Sequence, residues 1–238
     1  MTDTDSGSPG ATRTTLHRLA THVMARRRFE VSGRFGLRAS PGGFATPAFG
    51  SGPDVIRLAG ATLVYETGDT SSWVAVDGSS LRSLAELVGA DIDAAFSCGD
   101  DTPSPGDPDA ALRLDPTEAL QLAEWYALGW RVVDRVVSSA HPRHGAATLQ
   151  IWPEHFDAAT TLGLPGGDSV NLGFSPGDGH EPEPYVYVGP WSPSRPGDAA
   201  YWNAPFGAVL RRRDLDSGSD PVHACTSFLE RGISLLSL

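Results

Sequence analysis

His155 and Asp157 stand two residues apart in the stretch Trp152-Pro153-Glu154-His155-Phe156-Asp157. On an extended strand that spacing turns both side chains to one face. An imidazole beside a carboxylate suits Zn, Mn or Fe, and such a pair needs only one or two further ligands from a neighbour. Asp178 and His180 repeat the spacing in reverse order. The metal set these positions suggest is His155, Asp157, Asp178 and His180. Against it, Pro153 disturbs the start of the strand, and residues 177–184 (GDGHEPEP) have the composition of a solvated loop.

A second chemistry is ligand binding. Glu181, Glu183, Tyr185 and Tyr187 occupy odd positions while Val186 and Val188 occupy even ones, so one face is acidic and phenolic and the other aliphatic. Trp152 and Trp191 bracket this stretch, and Tyr201, Trp202 and Phe206 follow closely. Aromatic walls with a few convergent polar groups are what small-molecule pockets are made of. Its lining would be Trp152, His155, Asp157, Asp178, Tyr185, Tyr187 and Trp191, in a cleft formed by 152–191. The alternative is that these aromatic residues are ordinary core, with their polar tips at the rim.

Two nucleophile patterns fail on physical grounds. Gly173-Phe174-Ser175-Pro176-Gly177 fits the G-x-S-x-G elbow of hydrolases. The elbow needs the N–H of the residue after the serine, and Pro176 has none. Cys98 adjoins Gly99-Asp100-Asp101, whose carboxylates raise a thiol pKa, and Cys225 has core-like spacing. His17 and His22, five apart on a helix, share no face well and read as exposed.

These residues need a scaffold, and the composition provides for one. Of the 238 residues, 40% are hydrophobic, enough for a packed core. Net charge is −11, and all eighteen basic residues are arginine. The absence of lysine excludes Schiff-base chemistry and a phosphate-binding P-loop lysine. The acidic balance speaks against nucleic acid, and Arg26–Arg28 and Arg211–Arg213 are too short to reverse it. Two cysteines, no apolar signal segment and no run of about 18 apolar residues imply a cytoplasmic protein without a membrane partner.

Along the chain, residues 1–10 read as a disordered tail and 11–238 as a single domain, with the acidic Pro/Gly loop near 99–110 as the place where sub-lobes would divide. Apolar residues at three- and four-residue spacing predict a helix over 14–28, with the Arg triplet outside its apolar face. Phe29, Val31, Phe35 and Leu37 then read as extended, and strands broken by Gly60 and Gly68 follow in 55–76. A short helix is predicted over 80–88, ended by Gly89. Asp115, Pro116 and Glu118 mark the start of a long amphipathic helix over 116–139. Leu122, Trp125, Tyr126, Gly129, Val132, Val133, Val136 and Val137 form its buried face, and 141–145 the turn out of it. Strands are predicted over 148–152, 155–162, 170–174, 185–189 and 206–212, with a last helix after Asp220-Pro221. The class is α+β: an antiparallel sheet core with the long helix and with N- and C-terminal helices.

Three segments, 35–50 (FGLRASPGGFATPAFG), 149–163 (LQIWPEHFDAATTLG) and 170–191 (VNLGFSPGDGHEPEPYVYVGPW), resemble signatures of a family of bacterial, mainly actinobacterial, proteins of unknown function. The pattern WPEHFD…NLGFSPGD…PYVYVGPW carries the resemblance. It implies that the segments belong to one fold, and it implies no activity, substrate or cofactor. Three functions therefore stand open: small-molecule binding in the 152–191 cleft, a metal-dependent enzyme using His155 and Asp157, and a structural or partner-binding protein without a catalytic site.

Overall fold

A computed structural model describes residues 10–139, 145–215 and 220–237. Most of the expected tail and the expected 141–145 turn lie outside the described residues. The fold is α+β, with two antiparallel five-stranded sheets. The chain forms two compact units, residues 1–124 with 151–156, and 125–150 with 157–238. The division runs through the long helix, and the acidic 99–110 loop lies wholly in the first unit.

The first unit opens with α1 (Ala11–Leu19), which continues through a π-helical segment (Ala20–Ala25) into α2 (Arg26–Ser32). Leu16, Leu19, Val23 and Met24 are fully buried, as their spacing requires. The helix runs further than expected: Phe29 and Val31 are helical and largely exposed, not extended. The Arg triplet is the reason. Arg26 and Arg28 are only 4% and 8% exposed. Arg26 donates to the Asp91 and Ala94 carbonyls, and Arg28 to that of Gly36. Backbone carbonyl oxygens thus receive guanidinium groups that periodicity assigns to solvent.

An antiparallel meander follows: β1 (Arg38–Ser40), β2 (Gly43–Ala45), β3 (Val55–Ala59), β4 (Thr62–Thr67) and β5 (Thr70–Ala75), neighbours in that order. The glycine-marked hairpin between β3 and β4 pairs Ala59 with Thr62. α3 (Leu81–Val88) starts at a Ser80 capping box, ends at Gly89, and packs on the π-helical segment and β4. The segment 151–156 completes this unit: Ile151 and Leu37 exchange backbone hydrogen bonds of 2.8 and 2.9 Å, and both are buried.

α4 (Pro116–Ser139) begins where Asp115 accepts from the Thr117 and Glu118 N–H groups, at 2.7 and 3.0 Å. Those bonds hold the Asp115 carboxyl below its ordinary pKa. Trp125, Tyr126, Gly129, Val132, Val133 and Val136 are buried, while Gln121, Glu124, Arg131, Arg135 and Ser138 are exposed, as the amphipathic pattern demands.

The second sheet takes the order β10 (Ala208–Arg211), β9 (Tyr185–Pro190), β8 (Ser169–Ser175), β7 (Asp157–Gly163), β6 (Gln150–Trp152). Register puts Phe174, Leu172, Val186 and Val188 on one face. α4 packs on that face in the second unit: Trp125 meets Phe174 in a tilted contact with ring centroids 5.0 Å apart, and Gly129 lies over the same ring. α5 (Pro221–Leu236), capped by Asp220 on the Val222 N–H, packs on β9 and β10. The opposite face carries Asp157, Ala159 and Thr161, then Ser175, Gly173 and Asn171, then Tyr185 and Tyr187. Among the described residues no helix is long and apolar enough to cross a membrane.

Candidate functional site

The expected strand through His155 does not form. Residues 153–156 make a turn, the Phe156 N–H bonding the Trp152 carbonyl at 2.7 Å, and β7 starts only at Asp157. Phe156 has φ 58, a left-handed conformation rare for an aromatic residue. Its ring is held between His17, stacked at 5.0 Å, and Phe44, edge-on at 5.3 Å. Strand alternation therefore does not govern His155 and Asp157, and the two belong to different units.

In the first unit, His155 joins Glu154 and Asp101. One ligand atom from each of the three lies within 4.8 Å of the others, and among the described residues no other such group of His, Cys, Asp and Glu occurs. Glu154 is the inner member, with 19% of its side chain exposed against 54% for His155. Its Oε1 accepts from the Asp101 N–H at 2.9 Å, and its Oε2 is 3.7 Å from His155 Nε2. The carboxylate rests directly on Gly99: a Cβ there would fall 2.0 Å from Glu154 Oε1, so only glycine admits it. A carboxylate seated on backbone, with a second carboxylate and an imidazole beside it, can hold a divalent cation.

Two helical side chains fix the turn that carries Glu154 and His155. His17 Nε2 and the Thr21 hydroxyl both donate to the Pro153 carbonyl, at 2.8 and 2.7 Å. His22 Nε2 donates to the Pro103 carbonyl at 2.7 Å in the loop that carries Asp101. Both histidines are thus largely enclosed and bonded, not exposed as expected, and burial pushes their pKa values down. Cys98, packed near this loop, has its thiol pushed up by burial, with the Glu154 charge adding to the effect. It is a poor nucleophile.

In the second unit the other expected residues form a separate arrangement. The Tyr187 hydroxyl donates to Asp157 Oδ2, and the Tyr185 hydroxyl to Asp178 Oδ2. Burial and the adjacent carboxylates raise both phenol pKa values, so both tyrosines stay protonated donors. Asp178 Oδ1 also accepts from the His180 and Glu181 N–H groups, at 2.8 and 3.1 Å, and so closes its own turn. The His180 ring meets the edge of Phe206 at 5.1 Å. The expected metal set of His155, Asp157, Asp178 and His180 is not what the turn and strand geometry groups; His155 takes Asp101 and Glu154 as neighbours instead.

Trp191 is exposed, and its Nε1 donates to Asn171 Oδ1 at 3.0 Å. Trp152 lies in the first unit, at the start of the 153–156 turn. Glu181 is buried and paired with Arg211, which holds its carboxyl below the ordinary range; Arg213 bonds Glu183 at 2.9 Å. Arg211 and Arg213 of the second Arg cluster are thereby tied up in ion pairs, while Arg212 lies over the Trp125 ring. Ser175 ends β8 in a turn, its hydroxyl accepting from the Gly177 N–H at 3.1 Å, with no helix following as a nucleophile elbow requires.

Sequence reasoning missed Asp101 and Glu154. Glu154 stood in plain view beside His155, but nothing local announced Asp101, 53 residues away in an acidic loop. Comparison with protein-family models, with curated proteins and with solved structures found no match for this chain.

Proposed function

We propose that this protein binds a divalent transition-metal ion through Asp101, Glu154 and His155, and that the ion is the centre of its activity. The observation carrying this reading is the convergence of three ligand atoms of suitable type within 4.8 Å. One imidazole and two carboxylates suit Mn, Fe or Zn better than Ca, which prefers oxygen alone. Three protein ligands leave coordination positions open for water and substrate, as catalytic sites require. The exposed flank at His155 is where they would enter.

The test is metal analysis and Mn²⁺ electron paramagnetic resonance on protein purified without a His tag. Saturable binding of about one ion per chain is expected. Asp101→Asn combined with His155→Ala should abolish it without unfolding the chain. A wild-type protein that takes up no Mn, Fe or Zn, and whose melting temperature ignores both chelator and added metal, overturns the reading.

A second reading rests on the Tyr187–Asp157 and Tyr185–Asp178 pairs, which set two phenols and two carboxylates on one sheet face beside Phe206. Such a face suits a small polar or cationic molecule. Thermal-shift screening of metabolites should then yield a hit that Tyr187→Phe removes. If neither metal nor metabolite binds, a structural role gains. The proposed compartment is the cytoplasm, in keeping with two buried free thiols. Nucleic acid is not among the proposed partners, because Arg26, Arg28 and Arg211 are committed to carbonyl and carboxylate oxygens.

A further inference from the structure

His17 and His22 reach from one helical segment to two different loops. His17 ends on Pro153, immediately before Glu154, and His22 on Pro103, two residues beyond Asp101. Five residues on an α-helix turn side chains about 140° apart, so the pair should diverge. The π-helical segment, which begins at Ala20 and holds His22, reduces that divergence. Within it the Arg26 N–H reaches the Thr21 carbonyl, five residues back, so one extra residue is taken into a single turn. His17 and His22 are thereby brought round to serve neighbouring loops.

Each imidazole is a single-purpose donor. A carbonyl accepts, so Nε2 carries the proton in both rings. His22 Nδ1 is buried without a hydrogen-bond partner among the described residues, a burden that a merely space-filling side chain would not carry. Between the loops themselves, the Asp101 N–H to Glu154 bond and the packing of Glu154 on Gly99 are direct links. The helix thus holds both ligand-bearing loops, through the Pro153 and Pro103 carbonyls.

Resting on the metal centre proposed above, we infer that His17 and His22 are positioning residues that hold the Asp101 and Glu154 loops at cation-binding separation. The extra residue of the π turn serves this spacing. Neither imidazole touches the ion. Each acts through a backbone carbonyl next to a ligand.

The test measures Mn²⁺ affinity on the full chain for His17→Leu, His17→Gln, His22→Leu and His22→Gln. A leucine fills space but donates nothing, and should weaken binding about ten-fold, the scale on which residues behind metal ligands act. A glutamine amide can still donate to the carbonyl, and should hold affinity within about three-fold. Leu229→Ala, in the core of the second unit, is the control for general loosening and should leave Mn²⁺ affinity unchanged.

Folded leucine variants that bind Mn²⁺ as tightly as the wild type overturn the positioning role while leaving the metal centre intact. Weakening by Leu229→Ala to the same degree overturns it too, since the effect would then be loss of stability. A wild-type protein that binds no Mn²⁺ overturns the centre and this role together. Should a leucine variant not fold, His17→Asn and His22→Asn replace it. Their shorter amides fall short of the carbonyl, and binding equal to that of the glutamine variants overturns the inference.

Discussion

The Tyr187 hydroxyl is worth more than its one hydrogen bond, because it serves a carboxylate that is 6% exposed. Tyr187→Phe keeps the ring and removes a donor from a buried anion, and should lower stability by about 1–3 kcal/mol in urea unfolding. His22 is the other residue with a readable consequence. Burial holds its folded pKa below the ordinary 6.5, with the Arg26 and Arg18 charges opposing protonation further. As pH falls through about 6.5 the unfolded chain takes up a proton that the folded protein resists, so stability drops on acidification. Unfolding midpoints should fall from pH 7.5 towards 5, and His22→Gln should flatten that slope by at most about 1.4 kcal/mol per pH unit. Of the site, His155 could be read from residue type alone. The pairing with Asp157 that strand alternation suggested does not form, because a left-handed Phe156, held by ring packing with His17 and Phe44, interrupts the strand.

Among the elements, α4 shows how a helix can be legible and still carry a surprise. Its cap at Asp115 and its apolar stripe are local facts, and the helix forms where they place it. Gly129 on the stripe should be a weakness, since alanine is better in a helix by about 1 kcal/mol. Yet a Cβ there would lie 2.7 Å from Phe174 Cγ. Gly129→Ala should therefore destabilise, by about 1–3 kcal/mol net, because the overlap outweighs the propensity gain. Thermal unfolding decides the sign. The N-terminal helix was less legible. Its apolar spacing predicted 14–28, but its extension to Ser32 depends on Arg26 and Arg28 finding carbonyls at Asp91, Ala94 and Gly36. No window of sequence contains the Arg26 pairing with Asp91 and Ala94.

For the whole molecule, the class and the antiparallel pairing followed from alternation and turn residues, whereas the division into two units did not. The first unit is discontinuous and depends on residues 151–156, which arrive only after α4. A chain ending at residue 139 would lack the Ile151 partner of Leu37, the Pro153 carbonyl that receives His17 and Thr21, and the Phe156 ring on Phe44. Such a truncation should give a poorly dispersed amide NMR spectrum despite containing every strand of the first sheet. A well-dispersed spectrum would show that the meander and helices suffice by themselves.

The π turn also bears on which mutations this gene can tolerate. Losing any one codon across Ala20–Ala25 would let the helix close into ordinary α geometry, with sounder internal bonding than before. The helix on either side would keep nearly its present phase, because a turn that takes in one extra residue spans about the same rotation as an α turn without it. Leu16, His17 and Leu19 would then still meet their partners, and only side chains inside the segment, Thr21 and His22 among them, would be redirected. Loss of one residue here should therefore be milder than the same loss within α1 or α2, where the helix has no extra residue to give up.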